Sequence, residues 1–188
     1  VTYKATLDTD AVLGSVGNPN TADLEYSNNP NKTGDGTAKP EETGKTPEDK
    51  NIVFTYKVTA NKVDEKNKAL EGAEFELFKK AKDENWISKG KLTGTGDNKN
   101  VFEWSGLDDG DYKIVETKTP SGYNTIDAIE FTITAEHDST ADAPELKNLS
   151  GGNLFTGDVE TGAVSANIVN KSGSTLPETG GIGTTVFY

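Results

Sequence analysis

From Asn51 the chain alternates apolar and polar residues with a period of two. Ile52, Phe54, Tyr56, Val58, Ala60 and Lys62 fall on one face of a long strand, and Val53, Thr55, Lys57, Thr59, Asn61 and Val63 on the other. Phe75 and Leu77 mark a second strand behind the Glu71-Gly72 turn, with Phe78 on the opposite register. A short strand is expected at Trp86-Ile87-Ser88, then a polar loop from Gly94 to Asn100. Phe102 and Trp104 share the inward face of the next strand, and Gly106 to Gly110 makes a turn. Tyr112, Ile114 and Glu116 share a face, and Thr119 to Tyr123 turns the chain. Ile126, Ala128 and Glu130, with Ile129, Phe131 and Ile133, form another strand. Residues 136–162 are a polar excursion anchored by Leu146, Leu149, Leu154 and Phe155. Val164, Ala166, Ile168 and Asn170 line one face of the last strand. Short strands at this spacing predict an all-β, immunoglobulin-like sandwich with Greek-key connections.

The first part is less regular. Tyr3, Ala5 and Leu7 alternate, and so do Leu24, Tyr26 and Asn28, with Gly17-Asn18-Pro19-Asn20 as turn chemistry between them. An Asn closing an inward row either ends its strand or bonds to something; on pattern alone Asn28 fits both. Residues 30–50 lack periodicity and read as a linker or long surface loop. The expected layout is therefore end strands of an upstream β-domain over 1–31, a linker over 32–50, a sandwich over 51–175, and a C-terminal signal over 176–188.

Composition narrows the function. The net charge is −12 and there is no Arg, which opposes nucleic-acid binding and electrostatic attraction to anionic membranes. With no Cys and the single His137 in a polar, exposed loop, neither a disulfide framework nor zinc is expected. Acidic stretches such as Asp108-Asp109 and Glu136 to Asp142 lack calcium-ligand spacing, so no metal and no cofactor is expected. No Ser/His/Asp or Cys/His set suggests an enzyme.

Three polar residues interrupt the apolar rows: Lys62, Glu116 and Asn170. One of them alone would be a strand end reaching water. Three together call for a different account, because an isolated buried charge costs several kcal/mol or more unless it pairs or neutralises. Burial favours the neutral forms of an amine and a carboxyl alike. A neutral amine, a protonated carboxyl and a carboxamide in one apolar pocket can react. The amine attacks the amide carbonyl, the acid polarises it and shuttles protons, and ammonia leaves. Lys57 is an alternative amine, and Asn167 and Asn148 are alternative acceptors.

The motifs Lys62-Val63-Asp64, Leu70 to Leu77, Gly106-Leu107, Tyr112 to Thr117 and Pro120-Ser121-Gly122-Tyr123 resemble the C-terminal immunoglobulin-like domain of Gram-positive sortase-assembled pilins, of the collagen-adhesin B type. The pattern YxLxETxxPxGY of that family is matched by Tyr112 to Tyr123. The resemblance implies an isopeptide bond from Lys62 to Asn170, catalysed by Glu116, and makes Asn28 the crosslink acceptor of a preceding domain. Leu176-Pro177-Glu178-Thr179-Gly180 resembles a sortase sorting signal, cut after Thr179. The apolar start of an anchor follows and stops short of the roughly 20 residues a membrane helix needs. The resemblance implies a pilus subunit outside the cell, with sortase, neighbouring pilins, wall peptidoglycan and host surface ligands as partners. The alternative is the stalk of a wall-anchored adhesin, or a basal or tip pilin.

Overall fold

A computed structural model describes residues 4–29, 31, 42–94, 97–140 and 143–173. These residues are almost entirely β. In chain order the strands are β1 (Asn18–Ala22), β2 (Glu25–Ser27), β3 (Thr43–Lys45), β4 (Asp49–Val53), β5 (Tyr56–Asp64), β6 (Glu74–Lys80), β7 (Trp86–Thr93), β8 (Val101–Leu107), β9 (Gly110–Lys118), β10 (Ile129–Asp138), β11 (Glu145–Ser150), β12 (Thr156–Asp158) and β13 (Ala163–Asn170), with one 3-10 turn at Gly14–Val16.

Two larger sheets carry the core. One has the order β11-β10-β9-β6-β7 and the other β12-β13-β5-β8. The connection of β8 to β9 is only Asp108-Asp109, and it moves the chain from the second sheet to the first. Non-consecutive neighbours such as β9 beside β6 and β13 beside β5 are the crossovers of a Greek-key sandwich. By contact density the chain divides into two units. One comprises Val1–Val58, Ser105–Gly110 and Thr132–Val164; the other comprises Thr59–Trp104, Asp111–Phe131 and Ser165–Tyr188.

In the second unit the alternation becomes a packed interior. Ala60, Phe75, Leu77, Phe102, Trp104, Tyr112, Ile114 and Ile168 are all buried. Each large side chain stabilises by about 1.5–3 kcal/mol through the apolar surface it withdraws from water. Phe75 meets Phe102 edge-on at 4.9 Å, and the Trp104 indole N–H donates to the Gly90 carbonyl at 2.9 Å. That carbonyl is placed by a bulge: Leu77 pairs with Gly90 but Phe78 with Ser88, so Lys89 is the extra residue. Gly90 has φ +116, a conformation that favours glycine. On the outer surface Lys113 covers the Trp86 ring at 4.4 Å.

In the first unit, β1 pairs with β4 and β2 with β3. Asn18 ties down the preceding turn: its Oδ1 accepts from the Val12 N–H and its Nδ2 donates to the Val12 and Val53 carbonyls. Gly14, at φ +75, lies so close to residue 160 that a Cβ would stand 2.3 Å from the Glu160 carbonyl oxygen.

Several local expectations change. Residues 4–8 form no strand and are exposed, because alternation makes a strand only where a neighbouring backbone pairs with it. Leu24, Tyr26 and Asn28 do alternate, yet all three are exposed. The expected long strand from Asn51 is interrupted at Phe54-Thr55 into β4 and β5. β7 runs to Thr93 rather than ending at Ser88, held by its ladder to β6. The stretch after Glu136 is not all loop: His137 and Asp138 are the last residues of β10, and Leu146, Leu149 and Phe155 are buried anchors while Leu154 is exposed. The His137 ring stacks on Phe54 at 5.0 Å, and its Nε2 lies 2.9 Å from the Tyr56 hydroxyl.

Candidate functional site

The three anomalous residues meet in the second unit. Lys62 stands near the end of β5 and Asn170 at the end of β13, which are neighbours in the four-stranded sheet. Glu116 comes from β9 of the other sheet, opposite Phe75 in the ladder. Period-two alternation delivers all three inward, since each lies an even number of residues from a buried apolar neighbour on its own strand. Lys62 and Asn170 are 0% exposed and Glu116 6%, with the Lys62 and Glu116 side chains wholly removed from solvent.

The contacts are specific. Asn170 Nδ2 donates to Glu116 Oε1 at 2.9 Å and to Oε2 at 3.2 Å. Lys62 Nζ donates to the Ile168 carbonyl at 2.7 Å and lies 4.0 Å from Glu116 Oε1, an ion-pair separation. Asn170 Oδ1 is buried and has no hydrogen-bond partner. Burial pushes the Lys62 ammonium down to about 8, and the Glu116 charge opposes that shift. A substantial share of the amine is therefore neutral only slightly above neutral pH. An amine, a carboxyl and a carboxamide with an uncommitted oxygen thus share one solvent-free pocket.

The alternatives separate by exposure. Asn167 and Asn148 are both exposed, and Lys57 is half-buried. Asn28 is exposed past the end of β2, where its N–H donates to the Glu42 carbonyl. Leu176, Pro177, Glu178, Thr179 and Gly180 lie outside the described residues, as does Tyr3 of the N-terminal alternation. Among the described residues, no group of three or more metal-ligating side chains is assembled.

Other groups around the triad are not visible as a pattern. The Thr119 hydroxyl donates to Glu116 Oε2 at 3.0 Å, and the Ile126 N–H reaches the same oxygen at 3.3 Å. Just beyond β13, Ser172 is clamped by Glu65 through its N–H at 3.0 Å and its hydroxyl at 2.9 Å. The only sequence signal was a hydroxyl three residues after Glu116.

Residues 56–147 match the model of the SpaA family, described as a prealbumin-like fold domain. Over 131 residues the chain is 37% identical to the trypsin-resistant surface T6 protein of Streptococcus pyogenes serotype M6, an alignment covering 66% of this chain and 23% of that protein. The chain thus spans less than a quarter of that curated relative. The solved structure of the T6 backbone pilin of serotype M6 Streptococcus pyogenes superimposes with a TM-score of 0.58 at 24% identity, covering 88% of this chain and 45% of that one, and supports the fold. Over residues 56–147 the chain carries a SpaA prealbumin-like fold domain, a fold it shares with the T6 backbone pilin.

Proposed function

We propose that this chain is the C-terminal part of a pilus shaft subunit of a Gram-positive bacterium, stabilised by an autocatalytic Lys62–Asn170 isopeptide bond. The observation that carries the proposal is a buried carboxyl, Glu116, hydrogen-bonded to the Asn170 carboxamide and 4.0 Å from the buried Lys62 amine, inside a fold shared with backbone pilins. In this reading residues 51–175 are the isopeptide domain and 1–31 close an upstream pilin domain in which Asn28 is an acceptor. Residues 32–50 link the two, and 176–188 carry the sorting signal.

The reaction starts from the ion pair. Nζ swings from the Ile168 carbonyl and passes a proton to Glu116 Oε1. The free amine attacks Asn170 Cγ, forming the C–N bond while the carbonyl pair moves to Oδ1. Glu116 gives its proton to Nδ2, takes one back from Nζ, and the intermediate expels ammonia. An ammonium, a carboxylate and a carboxamide become a secondary amide, ammonia and a protonated carboxyl. Each chain turns over once, so Glu116 makes the product part of the fold and the protein is a structural subunit rather than an enzyme. A sortase would cleave after Thr179 and pass its acyl group to a lysine of the next subunit or to a wall precursor. That places the protein outside the cell, with neighbouring pilins and peptidoglycan as covalent partners.

Intact mass tests the bond directly: one ammonia below the value calculated from the sequence is expected, and the calculated mass would refute it. Glu116→Ala should fold and keep the full mass; a crosslinked Glu116→Ala chain would remove Glu116 from the mechanism. Incubation with a sortase and a small amine acceptor should release the segment after Thr179, and an intact chain would refute the anchoring step.

A further inference from the structure

We infer that Thr119, buttressed by Thr125, is a positioning residue that gives the two oxygens of Glu116 different tasks in amide formation. The inference rests on the isopeptide reading above and concerns how its acid is controlled.

The two oxygens are not equivalent. Oε2 receives the Thr119 hydroxyl at 3.0 Å and the Ile126 N–H at 3.3 Å, besides the longer 3.2 Å contact from Asn170 Nδ2. Oε1 receives the shorter 2.9 Å contact from Nδ2 and faces Lys62 Nζ at 4.0 Å. The loop after β9 thus commits one oxygen and leaves the other turned toward both reacting nitrogens. An oxygen already accepting from two loop donors is the poorer proton acceptor. The proton leaving Nζ is therefore directed to Oε1, the oxygen closer to the departing nitrogen. With Oε2 pinned, the carboxyl plane cannot rotate away between receiving that proton and delivering it.

Thr119 is itself held. Its hydroxyl lies 2.7 Å from the Thr125 hydroxyl, and either can be the donor. When Glu116 is ionised, Thr125 can donate to Thr119 and Thr119 to Oε2, so each hydrogen has an acceptor. Thr119 is half-buried and Thr125 exposed, so the pair forms a short latch from the dry carboxyl to the surface of the loop. Thr119 also occupies an open position of the YxLxETxxPxGY pattern, so the resemblance assigns it nothing.

The test uses the full chain, recovered unreacted from denaturant and refolded by dilution, with loss of ammonia followed by intact mass over time. Thr119→Val keeps the shape and removes the donor; amide formation should slow about tenfold, the equivalent of one hydrogen bond of roughly 1.4 kcal/mol lost from the transition state. Thr119→Ser should restore the rate, which a merely packing role for the Thr119 methyl would not allow. Thr125→Val should slow the reaction less than Thr119→Val, and it supplies the decision should Thr119→Val fail to fold. Circular dichroism against folded, uncrosslinked Glu116→Ala separates slow chemistry from slow folding. Wild-type rates in folded Thr119→Val or, where that variant does not fold, in Thr125→Val would overturn the inference while leaving the isopeptide bond intact. A wild-type chain that never loses ammonia would overturn the reading beneath it and this inference with it.

Discussion

Replacing Lys62 by Met and Glu116 by Gln together separates a covalent pocket from a merely ionic one, because the two predict opposite signs. Met has nearly the length of Lys, no charge, and enough flexibility to fill the same channel. Without a covalent bond, the double change replaces a buried ion pair with uncharged side chains of similar shape. Such whole-pair exchanges are neutral or stabilising by about 1–4 kcal/mol, whereas Lys62→Met alone would break the pair and cost about 3–5 kcal/mol in an unreacted pocket. The amide put at position 116 keeps an acceptor oxygen for the Thr119 hydroxyl and the Ile126 N–H. With the bond, the change opens a closed loop of roughly 110 residues, whose constraint on the unfolded chain is worth about 5 kcal/mol by analogy with a disulfide. The expected loss is therefore about 5 kcal/mol, or roughly 20 °C in Tm for a domain of this size. Urea unfolding with linear extrapolation, alongside thermal melts followed by circular dichroism, measures it. A Lys62→Met, Glu116→Gln chain as stable as wild type, or more stable, would refute the covalent account.

Three further outcomes follow from the same geometry. In Asn170→Ala, which cannot form the amide, Lys62 loses its proton at about 8 when folded and 10.5 when unfolded. Between those values the unfolded chain holds more protons, so stability should rise with pH across that window by on the order of 3 kcal/mol, and a flat urea midpoint there would contradict the burial of the amine. Glu65 is held below the usual carboxylate range by the Ser172 hydroxyl and then the Ser172 N–H. Its folded value is the depressed one, so the clamp persists above the ordinary carboxylate range and is lost as pH falls through the depressed value; Ser172 amide exchange should accelerate only there, and Glu65→Gln should blunt that step. Phe102→Ala empties a fully buried site packed edge-on against Phe75 and should cost about 3–5 kcal/mol in urea unfolding, with a loss under about 1 kcal/mol showing that the core is looser than its contacts indicate.

Periodicity made the triad legible and little else around it. Lys62, Glu116 and Asn170 stood out because each broke an apolar row, and a row fixes the direction of its members within a pleated strand. The same reasoning misread Leu24, Tyr26 and Asn28, because alternation reports the pleat and not what covers it. β7 runs past Ser88 although Leu92 is the one large apolar residue between Ser88 and Thr93, because on an edge strand the ladder to β6 suffices. β3 and the start of β4 carry no apolar alternation, since Thr43–Lys45 and Asp49-Lys50 are strand residues through pairing with β2 and β1. Thr119 and the Ile126 N–H could not have been found from pattern, because a loop places them and one is a backbone group.

The unreacted pocket carries a cost that the reaction removes. A cation with no access to water, a carboxyl beside it and an unpartnered Asn170 Oδ1 each oppose folding, and the Ile168 carbonyl on Nζ and the donors on Glu116 offset that only in part. Selection for stability alone would fill these positions with Leu, Met or Ile. Retention of the three groups makes physical sense when the strain is temporary: amide formation converts a buried ion pair into a neutral linkage and releases ammonia. The proposed bond would join β5 to β13 through Lys62 and Asn170. Force entering near β5 and leaving after β13 would then pass through a covalent amide rather than through sheet hydrogen bonds, and the Glu65 clamp on Ser172 lies immediately beyond it. In a chain without cysteine, the proposed amide would give a pilus a covalent route for load.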